Sequence, residues 1–142
     1  MTAHLFAYGT LMCEEIMLAV SGRRLTGIHC LLRDYERATI QGEVYPGIVA
    51  RPGKVVEGVL YSDVPEAAWE RLDIFEGEMY QRSVIRVELE DGTLREAQAY
   101  VLKPEFEHRL SASPWSLEEF LRSGKERFEA QYLGFEALKK DH

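Results

Sequence analysis

"HLFAYGTLMCEE", residues 4–15, is the stretch on which the reading of this chain turns. An apolar run, Leu5-Phe6-Ala7-Tyr8, reads as a strand over 4–8 and meets a single glycine. Immediately after the glycine, "TLMCEEIMLAV" reads as a helix over 12–20 that stops near Ser21-Gly22. Strand passes to helix through Gly9-Thr10-Leu11, either as a tight turn or as a binding loop. A helix starting just after this turn leaves its first amides unpaired and makes that end positive. Gly9 lets a ligand approach the backbone, and a carboxylate or carbonyl oxygen suits such a place. On the plainer reading Gly9 only makes the bend, water satisfies the amides, and Glu14 and Glu15 complement the dipole.

Around this stretch, 142 residues are enough for one domain with a real core. A net charge of −7 argues against nucleic acid or an anionic membrane as partner, because phosphate binding needs a basic footprint. It leaves room for a small anion held by a local positive site. Cys13 and Cys30 are too few for a disulfide framework. With no signal-like or membrane-length apolar run, a cytoplasmic protein with free thiols is expected. His4, His29, His108 and His142 show no metal-ligand spacing. Serine-hydrolase, phosphate-loop and dinucleotide-binding glycine motifs are missing, and neither cysteine has an adjacent base.

The first hundred residues are rich in strand signals. "TGIHCLLRDYERATI" at 26–40 reads as a strand and a bend, and "VYPGIVARPG" at 44–53 as a short strand between turns. "VVEGVLYSDV" at 55–64 is β-rich, with Gly58 marking a bulge or a close backbone approach. A helix comes next, with Asp63 and Glu66 as a capping box and Pro65 in the first turn. Ala68, Leu72 and Phe75 form its apolar face and Gly77 its stop. Ile85, Val87 and Leu89 alternate with charged residues, "EDGT" at 90–93 supplies a turn, and 94–102 returns as a strand. From about 114 to 140 the pattern is helical, with Ser116 and Glu119 as a second capping box and Trp115, Phe120, Phe128, Tyr132 and Phe135 as anchors. The class is α+β, and short strands with glycine bends favour a small mixed β-barrel with flanking helices and a helical C-terminal tail.

"LDIFEGEMYQR", residues 72–82, holds the second candidate. Glu76 ends its helix, where the negative dipole end raises a carboxyl pKa, and Phe75, Met79 and Tyr80 are close enough in sequence to desolvate it. Both effects move a glutamate towards the range of a general base. The alternative is a solvated glutamate at a frayed end. Asp73 and Glu78 are rivals, Asp73 either holding a partner group or facing water. Tyr45-Pro46-Gly47 reads as a turn.

Taken together, "YGTL" at 8–11, "YPGIV" at 45–49, "GVLY" at 58–61 and "LDIFEGEMYQR" at 72–82 resemble the γ-glutamylcyclotransferase-like family in order and spacing, over roughly residues 4–103. The stretch from Trp115 to Phe135 resembles the tail of the plant avirulence-induced-gene branch. The resemblance implies a small barrel with a cavity at one end and one domain over 1–142, with a core to about 104. It implies that Tyr8, Gly9, Thr10 and Leu11 bind substrate, that Glu76 is the general acid/base, and that Tyr80 lines the pocket. The reaction it implies turns a γ-glutamyl amide into 5-oxoproline and a free amine, with no metal or cofactor. The glutathione-degrading branch carries Tyr-Gly-Ser-Asn at this loop, so Tyr-Gly-Thr-Leu here resembles the γ-glutamylamine branch instead. Three alternatives stand beside this. One is a non-catalytic small-molecule binder with the same cavity. The second is acyl transfer on a related γ-glutamyl substrate. The third is a partner-binding protein using the aromatic tail.

Overall fold

The computed structural model describes residues 3–129. Tyr132 and Phe135 of the aromatic tail lie outside the described residues. Five strands form a closed mixed barrel in the order β1-β3-β2-β4-β5. They are β1 Ala3–Ala7, β2 Gly27–Thr39, β3 Pro46–Val64, β4 Tyr80–Leu89 and β5 Leu94–Leu102. Neighbours are antiparallel except for β1 and β5, which close the barrel in parallel at Leu5 and Gln98.

The barrel arises from the period-two alternation of the strands. Phe6 and Tyr8, Ile48 and Leu60, Ile85 and Val87, and Ala97 and Ala99 pack into one apolar cluster together with Cys30 and Leu32. The opposite faces, through Leu5, Tyr61, Tyr100 and Leu102, pack against the helices. Burial pushes the Cys30 thiol up to about 12, so it serves as a small apolar filler. Gly58 meets the expectation of close approach. A Cβ there would strike the carbonyl of Ala7 and the Phe6 ring, with its Cζ at 2.8 Å.

Four local expectations are corrected. First, the two strands expected around Pro52-Gly53 are one strand, β3. The pairing shifts instead of ending: Tyr35 faces Ala50 while Arg33 faces Val55. The extra residues 51–54 are accommodated opposite Asp34, whose φ is 68°, and the Gly53 N–H donates to Asp34 Oδ1 at 3.0 Å. Second, the helix expected from residue 12 is divided. A 3-10 turn, Thr10–Met12, comes first; Cys13 is extended (φ −76°, ψ 113°); and α1, Glu14–Ser21, begins after it. Third, α2, Glu66–Glu76, has Pro65 at its N-cap with no side-chain cap, so Asp63 does not cap it. Asp63 lies on β3 and its N–H is taken by His4 Nδ1 at 3.1 Å. Tyr45-Pro46-Gly47 is likewise not the turn: the chain reverses before it and β3 starts at Pro46.

Elsewhere the local signals and the structure agree. Gly77 ends α2 with φ 78°, and the β4–β5 turn has Gly92 at φ 87° and the Thr93 N–H on Asp91 Oδ1 at 2.9 Å. A 3-10 segment, Pro104–Arg109, then leads to a helical run made of α3 Leu117–Glu119, a π-helical turn Phe120–Gly124 and α4 Lys125–Phe128. Ser116 caps this run through the Glu119 N–H at 3.2 Å. Trp115, Phe120 and Phe128 are buried in the main core rather than displayed on the surface. No described helix is long and apolar enough to cross a membrane.

The contact at Gly58 is tight enough to test. Gly58→Ala is expected to cost ~1–3 kcal/mol, the range of overpacked cores, read from urea unfolding. An unchanged midpoint would mean that β1 and β3 can separate at no cost.

Candidate active site

A cavity of about 130 Å³ opens where β1 ends, and Tyr8, Gly9, Thr10, Leu11, Glu76 and Tyr80 all line it. Three elements supply them. Tyr8 to Leu11 run from the end of β1 into the 3-10 turn, Glu76 is the last residue of α2, and Tyr80 is the first of β4. Pro46, Phe75, Met79, Tyr100 and Phe128 complete much of the wall.

The loop is held by its carbonyls, which leaves its first amides outside the turn's own bonding. The Tyr61 hydroxyl donates to Leu11 O at 2.7 Å. The first donor inside the turn is the Met12 N–H, to Gly9 O at 2.9 Å, so the amides of Gly9, Thr10 and Leu11 precede it. The division at Cys13 matters here. α1 and its dipole begin at Glu14, so the N-terminus of that helix is not at Gly9, Thr10 or Leu11. Gly9 is required by space: a Cβ would lie 2.9 Å from Pro46 Cγ and Cδ, and its φ of −127° needs no glycine.

Glu76 is partly buried at the C-terminus of α2. Burial pushes its carboxyl pKa up to about 8, and the neighbouring charge of Asp73 adds to the rise. Desolvation rather than the helix end is therefore the main cause. Asp73 is held on the other side: the Tyr100 hydroxyl donates to its Oδ1 at 2.6 Å, and Arg82 Nη2 lies 3.5 Å from its Oδ2. Arg82 in turn lies over the Trp69 ring, 4.6 Å from its centre. Glu78 is exposed at the cavity wall.

The tyrosines tie the walls together. The Tyr8 hydroxyl donates to Tyr100 O at 2.6 Å and the Tyr80 hydroxyl to Pro46 O at 2.8 Å. Burial holds the Tyr8 hydroxyl well above its ordinary pKa, and the Glu76 carboxylate raises it further. Tyr8 and Tyr80 thus both commit their hydroxyl protons to carbonyls. Glu76 is the cavity-lining group brought near neutrality. Among the described residues no group of three His, Cys, Asp or Glu side chains is arranged to hold a metal ion.

Sequence reasoning missed Tyr100 and Phe128 as wall residues, and the bond that holds Asp73. Tyr100 is one strand residue among many, and only the closure of the barrel brings it to α2. Phe75, expected in the core, is half-buried at the cavity and packs edge-on against Phe128, with ring centres 5.9 Å apart.

Residues 5–117 match the family described as gamma-glutamyl cyclotransferase, AIG2-like, and the chain belongs to that family. It is 28% identical over 125 residues to AIG2-like protein C of Arabidopsis thaliana, covering 87% of this chain and 72% of the relative. AIG2-like protein D of the same plant is also 28% identical over 125 residues, covering 87% and 82%. Among solved structures, one Arabidopsis thaliana protein superposes with a TM-score of 0.72 at 22% identity over 99% of this chain and 85% of its own. An AIG2-like protein from Mus musculus gives 0.63 at 25% identity over 81% and 88%. A structure named gamma-glutamyl cyclotransferase gives 0.64 at 19% identity over 75% and 74%, a likeness of fold.

The raised pKa of Glu76 has a stability consequence whose sign is fixed. A carboxyl with a folded value near 8 and an unfolded value of about 4.3 favours the fold while it is protonated. That contribution is whole below about pH 4.3 and is lost as pH rises through about 8. Relative to the wild type, Glu76→Gln should therefore gain ~1–3 kcal/mol between pH 5 and pH 9, less than the full shift implies because the side chain keeps some solvent. Urea unfolding at the two pH values measures it. A gap that does not change with pH contradicts the burial of this carboxyl.

Proposed function

We propose that this protein is a γ-glutamylcyclotransferase-like enzyme that cyclises a γ-glutamyl amide to 5-oxoproline and releases an amine. The observation that carries this reading is a partly buried glutamate of raised pKa facing the same cavity as a loop whose Gly9, Thr10 and Leu11 amides precede the first donor of the 3-10 turn. Membership of the family supports it.

The chemistry asks for little beyond this. The nucleophile is the substrate's own α-amine, tethered to the γ-carbonyl it attacks, so the cavity need only hold a folded, near-attack shape. Glu76, ionised, takes a proton from the α-ammonium. The amine nitrogen forms a bond to the γ-carbon and gives up a second proton, the γ-carbon–amide nitrogen bond breaks, and both protons pass by way of Glu76 to the departing amine, which leaves as an ammonium. Atoms and charge balance with no external oxidant, reductant or cofactor. The amides of Gly9, Thr10 and Leu11 anchor the α-carboxylate or polarise the γ-carbonyl. Tyr8 and Tyr80, their protons held by Tyr100 O and Pro46 O, act as walls that keep the substrate folded. The substrate is a γ-glutamyl amine rather than glutathione, in keeping with Tyr8-Gly9-Thr10-Leu11.

The test is 5-oxoproline release from a panel of γ-glutamyl amines and dipeptides. Release by the wild type that falls about 10²–10⁴-fold in Glu76→Gln is the expected result. Turnover that survives the substitution removes Glu76 from the role, and no turnover on any member removes the reaction.

The pH profile carries a second expectation. The base must be ionised, so kcat/KM rises with pH through about 8. Because the charge of Asp73 helps to raise that value, Asp73→Asn is expected to move the rising limb to lower pH. A limb that moves to higher pH, or stays in place, would show that Asp73 does not act on Glu76 through its charge.

A further inference from the structure

The helix that follows the loop proposed to hold an anion begins only at Glu14, and a half-buried cation lies against the loop's first carbonyl. Arg37, on β2, donates from Nη1 to Tyr8 O at 2.7 Å and to Glu57 O at 2.9 Å. Its guanidinium lies over the Trp115 ring, 5.3 Å from the centre. The Trp115 indole is fixed in turn through Nε1 to Val44 O at 2.8 Å. Among the described residues no carboxylate forms an ion pair with Arg37: Glu57 gives it a backbone carbonyl, while the Glu57 carboxylate pairs with His29 at 3.3 Å. Burial works against this cation and pushes its pKa down. An arginine remains charged even so, and taking it out of water has a cost that two neutral carbonyls and a ring only partly offset.

We infer that Arg37 is a positioning residue for the binding loop, fixing and polarising the Tyr8–Gly9 peptide so that the Gly9 amide acts as the anion-holding donor. The peptide is planar and trans, so a carbonyl drawn to Arg37 sends the Gly9 N–H the opposite way. A positive charge on the carbonyl side withdraws density along the peptide and strengthens that N–H as a donor. Arg37 thus takes the part that the sequence assigns to the end of a helix. The stack is suited to arginine: one guanidinium nitrogen reaches two carbonyls while the group itself lies over an indole. The role also gives the C-terminal extension a place in the site, because Trp115 supplies the platform on which the cation rests.

The choice of substrate anion rests on the cyclisation reading; the geometry of the peptide does not. The experiment separates them. Selective ¹⁵N-glycine labelling gives one amide signal for each of the 11 glycines, with Gly27 and Gly92 as remote references. Arg37→Gln keeps a donor and removes the charge; Arg37→Lys keeps the charge and loses the planar group over Trp115. In the free protein the Gly9 amide proton of Arg37→Gln is expected to move upfield while the references stay, with Arg37→Lys between it and the wild type. Titration with L-5-oxoproline is expected to show affinity about tenfold weaker in Arg37→Gln and partly restored in Arg37→Lys. A merely structural arginine would lower the melting temperature without singling out Gly9. Folded variants with the wild-type Gly9 shift and wild-type affinity would overturn the inference. A wild type that neither binds nor releases 5-oxoproline would overturn the functional reading instead, and the free-protein Gly9 shift would still decide the role of Arg37.

Discussion

The structure depends on β1 being paired on both edges. Antiparallel to β3 and parallel to β5, it closes the barrel, and closure leaves its chain only one exit, over the open end. The Tyr8 hydroxyl seals that exit through Tyr100 O at 2.6 Å. The chain then turns within the space that Gly9 leaves beside Pro46. The backbone is thus delivered, amides first, to the place where α2 ends. A side chain at Gly9 or a parted β1–β5 seam would move the loop away from Glu76. Barrel closure and site assembly are therefore one event.

The second constraint is electrical. Glu76 sits where burial raises its pKa, and α2 holds it there together with Asp73, whose carboxylate accepts from the Tyr100 hydroxyl and lies beside Arg82. Ionising Glu76 near neutral pH costs stability, the usual relation between a tuned site and the fold that carries it. The apolar wall that creates this cost is shared between the barrel and the tail. Phe128, from the C-terminal run, packs on Phe75 and lines the cavity. Trp115, from the same extension, covers Arg37 behind the loop. The extension is thus built into both sides of the site.

What was legible in the sequence was local. The Asp91-Gly92 turn, the stop at Gly77, the Ser116 cap and the alternation of β4 each depend on residues within a few positions of one another. The six candidate residues are adjacent to such marks, and all six line one cavity. What was not legible depended on distance or on unmarked backbone. Nothing in "TLMCEE" announces that Cys13 will be extended, since neither glycine nor proline stands there, and so the helix dipole was assigned to the wrong residues. Pro52-Gly53 has the composition of a strand end, yet Asp34 on the partner strand absorbs the extra residues and β3 runs through. Arg37 resembles any charged residue on a half-exposed strand until the fold sets Tyr8 O and Trp115 against it. The pairing of Asp73 on α2 with Tyr100 on β5 bridges 27 residues and leaves no trace in spacing.

Everything proposed for the site requires that the fold make Glu76 a base near neutral pH within reach of the Tyr8–Leu11 loop. The most direct measurement is a ¹³C titration of the Glu76 side-chain carboxyl, assigned by its loss in Glu76→Gln, with the loop amides followed in the same samples. A midpoint near 8 is predicted, with the amides of Gly9, Thr10 and Leu11 shifting along the same curve. A midpoint near the ordinary glutamate value of about 4.3, with loop amides indifferent to it, would contradict the role of Glu76 at its root.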